Sequence, residues 1–150
     1  MADVVSKATR SRMMAGIRGK NTKPELIVRR GVFKRGFRFR LHARNLPGSP
    51  DLVFARYKAV IFVHGCFWHG HDCRFFKAPR TNAKFWRIKI KGNRERDVRY
   101  AAKLLENGWR VMTVWECALR GKKIEAAERI ISRIVRWLDS RSKKAEIRGL

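Results

Sequence analysis

Residues 51–63 read DLVFARYKAVIFV, and this stretch decides the fold class of the chain. Two apolar runs, 51–55 and 58–63, are separated by Arg56 and Tyr57, a pattern that predicts a β-hairpin with a two-residue connection. The second run lacks polar alternation, so we expect its strand to be buried on both faces. A strand of that kind lies inside a sheet that helices cover on both sides.

The segments around the hairpin alternate between helical and extended patterns. Upstream, residues 22–25 (TKPE) predict a helix start with Thr22 as the cap; the helix ends near Gly36, and residues 37–41 alternate as a half-buried strand does. Downstream, we predict a helix over residues 81–108 with a break at Gly92 and an apolar stripe of Val98, Ala101, Ala102 and Leu105, then a strand over 109–115 and an amphipathic helix from Ile124 to Leu138. This order predicts an α/β fold, a three-layer sandwich in which helices flank a mixed β-sheet.

The hairpin also brings polar groups together at one end of the sheet. If it closes as predicted, Asp51 lies opposite Phe62, and opposed residues share a face. His64, two residues further on, then points to the same side as Asp51. A carboxylate beside the backbone carbonyl of Val63 is a reasonable oxygen site for Mg²⁺; the alternative is that Asp51 only satisfies the preceding loop.

Basic residues greatly outnumber acidic ones. Lys and Arg number 37 against 12 Asp and Glu, a formal net charge of +25 that favours a polyanionic partner. An acidic membrane surface is disfavoured, because the chain has neither a basic amphipathic helix with a clean apolar face nor a lipidation signal. The longest wholly apolar run, 59–63, is too short to cross a bilayer and the N-terminus lacks the apolar core of a signal peptide, so we expect a cytoplasmic protein that binds nucleic acid and no membrane.

The length of 150 residues fits one folded domain. Residues 1–20 carry too few apolar side chains to fold alone, so we expect them to form a basic arm. Residues 21–140 then form the domain, and residues 141–150 form a polar tail.

A short segment, residues 66–73, holds two cysteines and two histidines. Cys66 and Cys73 lie at its ends, His69 and His71 lie inside it, and Cys117 follows a later predicted strand. Three thiols and one imidazole complete a structural zinc site, which would staple a loop that has little core of its own. Spacing alone leaves open which histidine takes part, and chance burial of the cysteines is the alternative.

Aromatic residues lie among polar and basic ones in two places. Phe67 and Trp68 lie within the Cys/His segment, and Trp86 lies near Lys89 in a helical stretch rich in Lys and Arg. Adjacent rings in a polar loop are hard to bury completely, so stacking on nucleic-acid bases competes with a plain core role.

Three further polar residues carry weak signals. Glu25 occupies a helix-capping position, and Asp97 lies among charged neighbours that offer local ion pairs. Taken alone, both favour a structural role. His42 has no partner in the sequence pattern and stays unassigned.

Several motifs occur together in one order along the chain. Pro50-Asp51 is followed by Phe-Val-His at 62–64, a modified form of the restriction-endonuclease signature in which Phe-x-His replaces acidic-x-Lys. The other motifs are HGCFWH at 64–69, NRERD at 93–97, GWRV at 108–111, VWECALRG at 114–121, and MAD and KATRS at 1–3 and 7–11. With these motifs the chain resembles the very short patch repair (Vsr) DNA mismatch endonucleases, over nearly its whole length to about residue 140.

The resemblance implies a restriction-endonuclease-like fold and a role for each candidate residue. It implies that Asp51 and the Val63 carbonyl bind Mg²⁺, that His69 is the general base, that Asp97 orients its imidazole, and that His64 and Glu25 complete the site. It also implies that the zinc ligands are Cys66, His71, Cys73 and Cys117, and that the DNA-binding residues are Phe67, Trp68, Trp86, Lys89, Asn93 and, in the arm, Met14.

The activity that the resemblance implies is Mg²⁺-dependent nicking of one strand, 5′ to the thymine of a T:G mismatch. It implies a monomer that acts on mismatched double-stranded DNA, with mismatch-repair proteins as further partners. The alternatives are a zinc-stapled DNA-binding module without catalysis and a restriction-type endonuclease that cuts matched DNA. The chain departs from the family pattern at Val63, where Thr is common, and around Gly70, where further histidines are common; a backbone carbonyl serves from either residue at position 63.

Overall fold

The computed structural model describes residues 22–74, 76–120 and 124–149. Helix α1 spans Lys23–Lys34, strands β1, β2 and β3 span Arg40–Leu41, Leu52–Phe54 and Ala59–His64, and helix α2 spans Ala83–Glu106. Strand β4 (Arg110–Trp115), the short helix α3 (Glu116–Leu119), helix α4 (Ile124–Leu138) and strand β5 (Lys144–Ile147) follow. Within the described ranges, no helix is both long and apolar enough to cross a membrane. The predicted arm, with Met14, lies outside the described residues.

The five strands form one open mixed sheet in the order β1-β2-β3-β4-β5. Strands β1, β2 and β3 are antiparallel neighbours, whereas β3, β4 and β5 run parallel. Strand β3 therefore lies at the centre, with its first four residues buried as predicted.

The central hairpin has the predicted register. Leu52 pairs with Ile61, and one further step along the ladder places Asp51 opposite Phe62. The predicted two-residue connection is wrong: a 3-10 turn over Ala55–Tyr57 and one left-handed residue replace it. The turn takes one more residue than predicted from each strand, Ala55 from β2 and Lys58 from β3. The register of the remaining residue pairs is therefore the predicted one.

Helices cover both faces of the sheet, which confirms the predicted α/β layer arrangement. Helices α1 and α4 pack on one face, where Val28, Ile61 and Ile134 are fully buried. Helix α2 packs on the other face, where Val60 and Leu104 are fully buried. Each such aliphatic side chain contributes about 1.5–3 kcal/mol through removal from water.

Helix α1 begins where the TKPE pattern predicts. Thr22 is the N-cap, and its side chain accepts a hydrogen bond from the backbone N–H of Glu25 at 3.4 Å. The helix ends at Lys34, shortly before Gly36, whose φ is 92°. The cap thus places Glu25 in the first turn, where its side chain is buried.

Helix α2 differs from the prediction in two respects. It runs unbroken through Gly92, because one glycine costs about 1 kcal/mol and a 24-residue helix absorbs that cost. The predicted apolar stripe is wrong in part: Ala101 and Leu105 pack against the core, but Val98 is 71% exposed, and Ile90 is buried instead. The inward face of the helix carries two polar residues, Asn93 and Asp97, which contact the loop after β3. The pattern of apolar residues alone therefore indicates a face that only partly overlaps the one that is buried.

The polar tail predicted for residues 141–150 is wrong for its central part. Lys144–Ile147 forms an edge strand parallel to β4, and Ile147 is 2% exposed within the core. The segment looks polar because only one face of this short strand is buried. Its backbone forms hydrogen bonds with the edge of β4 that would otherwise be unpaired. At the other edge, the strand predicted over 37–41 is shortened to Arg40–Leu41.

Candidate active site and metal centre

The carboxylate of Asp51 lies at the carboxyl end of β3. Its Oδ2 atom accepts a hydrogen bond from the backbone N–H of Val63 at 2.7 Å. Glu25 from α1 and His42 from the loop after β1 lie beside it, and one potential ligand atom from each of the three side chains lies within 4.8 Å of the others. The two carboxylates supply hard oxygen atoms that can hold a divalent cation, and the imidazole lies beside them.

Burial dominates the electrostatics of this cluster. The side chains of Glu25 and His42 are 2% and 13% exposed. Burial raises the pKa of Asp51 to about 7; the hydrogen bond from Val63 lowers the pKa, and the Glu25 carboxylate raises it further. A divalent cation would favour the charged form of the carboxylates and so offset this penalty.

His42 is the member of this cluster that sequence reasoning missed. Its Nε2 atom lies 2.9 Å from Oε2 of Glu25, and its backbone N–H donates to the carbonyl of Asp51 at 3.1 Å. Leu41 pairs with Leu52, so the next step of the ladder places His42 opposite Asp51. The pairing of β1 with β2 was the missing signal, because the sequence predicts both strands without showing that they are neighbours.

A second cluster lies at the last residue of β3. The Nδ1 atom of His69 lies 2.5 Å from Oδ2 of Asp97, so the carboxylate accepts the Nδ1 proton and Nε2 keeps its lone pair. His64 stacks on His69 with ring centroids 3.8 Å apart and planes at 8°. Burial, followed by the electrostatic effect of the neighbouring His69, lowers the pKa of His64 well below its usual value, which keeps this ring neutral near pH 7. The arrangement is that of a general base with an orienting carboxylate.

The shared face predicted for Asp51 and His64 follows from the register, but the two side chains join different clusters. The His64 ring belongs with His69, whereas the Asp51 carboxylate belongs with Glu25. Both clusters adjoin consecutive residues at the end of β3, Val63 and His64. A phosphodiester held at this end of the sheet would therefore lie beside a cation-binding set and a base.

Helix α2 determines where the loop after β3 lies. The side-chain amide of Asn93 donates to the carbonyl of Trp68 at 2.8 Å, and one turn later Asp97 contacts His69. Gly70, with φ 57°, approaches the same helix so closely that a Cβ would come within 2.5 Å of a helix side chain. Asn93 thus has an internal partner, and its contact with DNA stays a prediction.

A third cluster joins every cysteine of the chain with one histidine. Cys66, His71, Cys73 and Cys117 place their ligand atoms within 4.8 Å of one another. The Nδ1 atom of His71 lies 3.6 Å from Sγ of Cys66 and 3.5 Å from Sγ of Cys117. The structure therefore places His71 with the thiols, and it places His69 with Asp97.

Burial makes charge in this third cluster costly unless a cation is bound. Cys66 and Cys117 are 1% and 2% exposed, and burial raises the pKa of the Cys66 thiol. Burial also lowers the pKa of His71, whose ring stacks on Trp115 at 3.9 Å. Thiols that become thiolates when a metal binds, together with a neutral imidazole, fit a structural zinc ion.

Phe67, Trp68 and Trp86 form one aromatic cluster. The ring of Phe67 lies 5.2 Å from that of Trp68 and 5.4 Å from that of Trp86, and the two indoles are 5.7 Å apart. All three rings are partly exposed, and the neighbouring Phe85 is 58% exposed. The Cys/His loop and the first turn of α2 thus present a group of aromatic side chains in edge-to-face and tilted contacts beside His69, a surface that suits bases.

Similarity to known proteins extends along the chain. The family model described as DNA mismatch endonuclease Vsr matches residues 2–75. Over 147 residues the chain is 45% identical to the DNA mismatch endonuclease Vsr of Escherichia coli (strain K12), a match that covers 98% of this chain and 94% of that protein. The chain belongs to the DNA mismatch endonuclease Vsr family. The resemblance read from its motifs is therefore confirmed.

Other relatives of this Vsr-family endonuclease carry the name of nicking enzymes. The Type II nicking enzyme V.XorIIP of Xanthomonas oryzae pv. oryzae is 49% identical over 119 residues, 79% of this chain and 88% of that protein. The Type II nicking enzyme V.NmeAIP of Neisseria meningitidis serogroup A is 43% identical over 136 residues, 91% of this chain and 96% of that protein.

Proposed function

We propose that this Vsr-family endonuclease nicks one strand of duplex DNA 5′ to the thymine of a T:G mismatch, and that cleavage requires Mg²⁺. The observation that carries the proposal is that two clusters meet at the end of β3. Asp51 is hydrogen-bonded to the N–H of Val63, and His69, paired with Asp97, stacks on the next residue, His64. The names of the relatives, a mismatch endonuclease and two nicking enzymes, support the substrate and the single cut.

In the proposed reaction His69 is the general base. Its Nε2 atom accepts a proton from the attacking water, while Asp97 holds the Nδ1 proton and stabilises the imidazolium that forms. The water oxygen bonds to phosphorus as the bond to the leaving sugar oxygen breaks. His64, stacked on His69, restricts rotation of the reacting ring.

Asp51, the carbonyl of Val63 and Glu25 are the proposed residues that hold Mg²⁺. Their hard oxygen atoms fit this ion, and the 2.7 Å hydrogen bond from the Val63 N–H places the Asp51 carboxylate beside the backbone of Val63. When bound, Mg²⁺ supplies stabilisation of negative charge on the phosphate and on the leaving oxygen.

A structural zinc ion is proposed for the third cluster. Its ligands would be Cys66, His71, Cys73 and Cys117, whose donor atoms already lie together. Four protein ligands fill a tetrahedral site, which leaves no open position for catalysis. The proposed role of zinc is therefore to hold the loop that carries Phe67, Trp68 and His69.

The aromatic cluster supports mismatch recognition. We propose that Phe67, Trp68 and Trp86 wedge between DNA bases. Lys89, which lies on helix α2 with Trp86, would contact the DNA backbone, and Met14 of the arm would also contact the DNA. A T:G pair stacks less well than a matched pair, so opening it costs less free energy. The enzyme then selects the mismatch because the T:G pair opens more easily than a matched pair and because the aromatic cluster contacts the bases.

Comparison of a T:G duplex with its T:A twin tests this function directly. We expect single-turnover nicking in Mg²⁺ to be at least about tenfold faster on the T:G duplex, which corresponds to about 1.4 kcal/mol in opening cost. Labelling each strand separately should show one cut, in the thymine strand. Cutting of both strands at equal rates on matched DNA would indicate a restriction-type enzyme, and binding without cleavage would indicate a DNA-binding module.

Cation binding should depend on pH because a proton competes for Asp51. With the pKa of Asp51 near 7, the affinity of DNA-free, zinc-loaded protein for Mn²⁺ should rise about tenfold from pH 6 to pH 8 and level off above. The same raised pKa stabilises the metal-free fold at low pH, and that contribution is lost as pH rises through about 7. Electron paramagnetic resonance of free Mn²⁺ measures the affinity, and equal affinity at pH 6 and pH 8 would contradict the assignment.

The proposal extends to the state and setting of the enzyme. We propose a monomer that acts on cytoplasmic DNA, with recruitment by mismatch-repair proteins as its family resemblance implies. Sedimentation of the protein with and without a T:G duplex measures its stoichiometry.

A further inference from the structure

His42 links the two carboxylate residues of the cation cluster. Its backbone N–H donates to the carbonyl of Asp51 at 3.1 Å, and its ring nitrogen Nε2 lies 2.9 Å from Oε2 of Glu25. A carboxylate accepts hydrogen bonds, which assigns Nε2 as the donor. One residue therefore bonds the strand end on one side and helix α1 on the other.

Arg29, which also contacts that Glu25 oxygen, cannot play the same part. The guanidinium of Arg29 lies 3.3 Å from Oε2, but Arg29 is one turn further along the same helix. Its contact orients Glu25 relative to α1, whereas His42 orients Glu25 relative to Asp51.

The backbone at His42 is held in an uncommon conformation. Its φ is 49°, in the left-handed region that costs a non-glycine residue roughly 1 kcal/mol. Such a conformation persists where surrounding contacts determine it, and it is frequent at functional sites. Here it lets the backbone reach Asp51 while the ring, 13% exposed, reaches Glu25.

We propose that His42 is a positioning residue that holds the Glu25 carboxylate against Asp51 and so strengthens divalent-cation binding by the pair. The inference rests on the proposed function, since it concerns the same cation site. Partners that orient metal-binding side chains typically change affinity by about 10–100-fold when they are removed.

Mn²⁺ binding by the full-length, zinc-loaded, DNA-free protein tests this proposal. Loss of the donor in His42→Leu should weaken Mn²⁺ binding about tenfold. His42→Gln keeps an N–H donor at a similar reach and should stay within about twofold of the unchanged protein. The matched control is Asn45→Ala, an exposed residue of the same loop, which should bind Mn²⁺ normally.

A double-mutant cycle with Glu25→Gln distinguishes positioning from other roles. If His42 acts through Glu25, His42→Leu should add no more than about twofold in the Glu25→Gln background. An equal loss in both backgrounds would overturn the proposal, as would unchanged Mn²⁺ binding by His42→Leu. Thermal melts of each variant separate a loss of affinity from a loss of fold.

Nicking assays keep this inference distinct from the proposed function. His42→Leu should raise the Mg²⁺ concentration for half-maximal nicking about tenfold, with the rate at saturating Mg²⁺ within about threefold. A protein that binds Mn²⁺ as described but never nicks a T:G duplex would refute the function and leave the binding result standing. Normal nicking by His42→Leu at low Mg²⁺ would refute the inference alone.

Discussion

Replacement of His69 by alanine is expected to slow nicking of a T:G duplex by about 10²–10⁴-fold, the range that a positioned general base contributes. The variant loses the Nε2 atom that accepts the proton, while the cation cluster keeps its own support from Val63 and Glu25. DNA affinity should change little, because His69 contacts Asp97 and His64 through its ring. Single-turnover cleavage in saturating Mg²⁺ measures the rate, and fluorescence anisotropy in Ca²⁺ measures binding.

Two variants of helix α2 sharpen this prediction. Asp97→Asn disturbs the 2.5 Å contact that orients the imidazole, so it should also slow nicking, with the base still present. Glu95→Gln, an exposed position on the same helix, should stay within about twofold and serves as the control. Undiminished nicking by His69→Ala would assign the base to another group.

Loss of a zinc ligand is expected to have the largest effect on stability. In Cys117→Ser the hydroxyl replaces a thiolate, so bound zinc should fall well below one equivalent. Cys117 lies in α3, whereas the other three ligands lie in the loop after β3, so the metal joins two segments distant in sequence. Loss of about 3–5 kcal/mol would lower the unfolding temperature by roughly 10 °C, and nicking should fail because His69 belongs to that loop.

A ligand exchange provides the control for this second prediction. Cys73→His keeps four soft or borderline ligands, and a Cys₂His₂ set also forms structural zinc sites. It should therefore retain about one equivalent of zinc and most of the stability that Cys117→Ser loses. Metal analysis measures the zinc bound by the two variants, and thermal melts measure their stability. Full stability of metal-free Cys117→Ser would show that the cluster needs no zinc.

Much of the fold could be predicted from local patterns. The capping sequence at Thr22 marked the start of α1, and the apolar runs on either side of Ala55–Tyr57 marked the central hairpin and its register. Prediction failed at Lys144–Ile147, where a short edge strand buries one face and otherwise looks polar. It failed in part on the orientation of α2, because a polar residue such as Asp97 occupies an inward position that hydrophobic periodicity assigns to apolar side chains.

The candidate site shows the same division. Asp51 stood out as a carboxylate at the start of a predicted strand, and Cys66 stood out as a thiol shortly after one. The family resemblance supplied roles for Glu25 and Asp97. His42 carried no local signal, because its relation to Asp51 exists only across the β1–β2 ladder.

By itself, the sequence determined the sheet-and-helix composition, the strong attraction to a polyanion and the family, because charge, periodicity and motif order are properties of the chain. Residue spacing left open which histidine joins the thiols, and the resemblance implied His71; the tertiary structure places His71 with the thiols and His69 against Asp97. Only the tertiary structure showed that His42 bridges Glu25 and Asp51. The physical reason is that hydrogen bonds and metal sites need atoms within a few ångströms. Whether residues far apart in sequence come that close depends on strand order and helix rotation, which long-range packing decides.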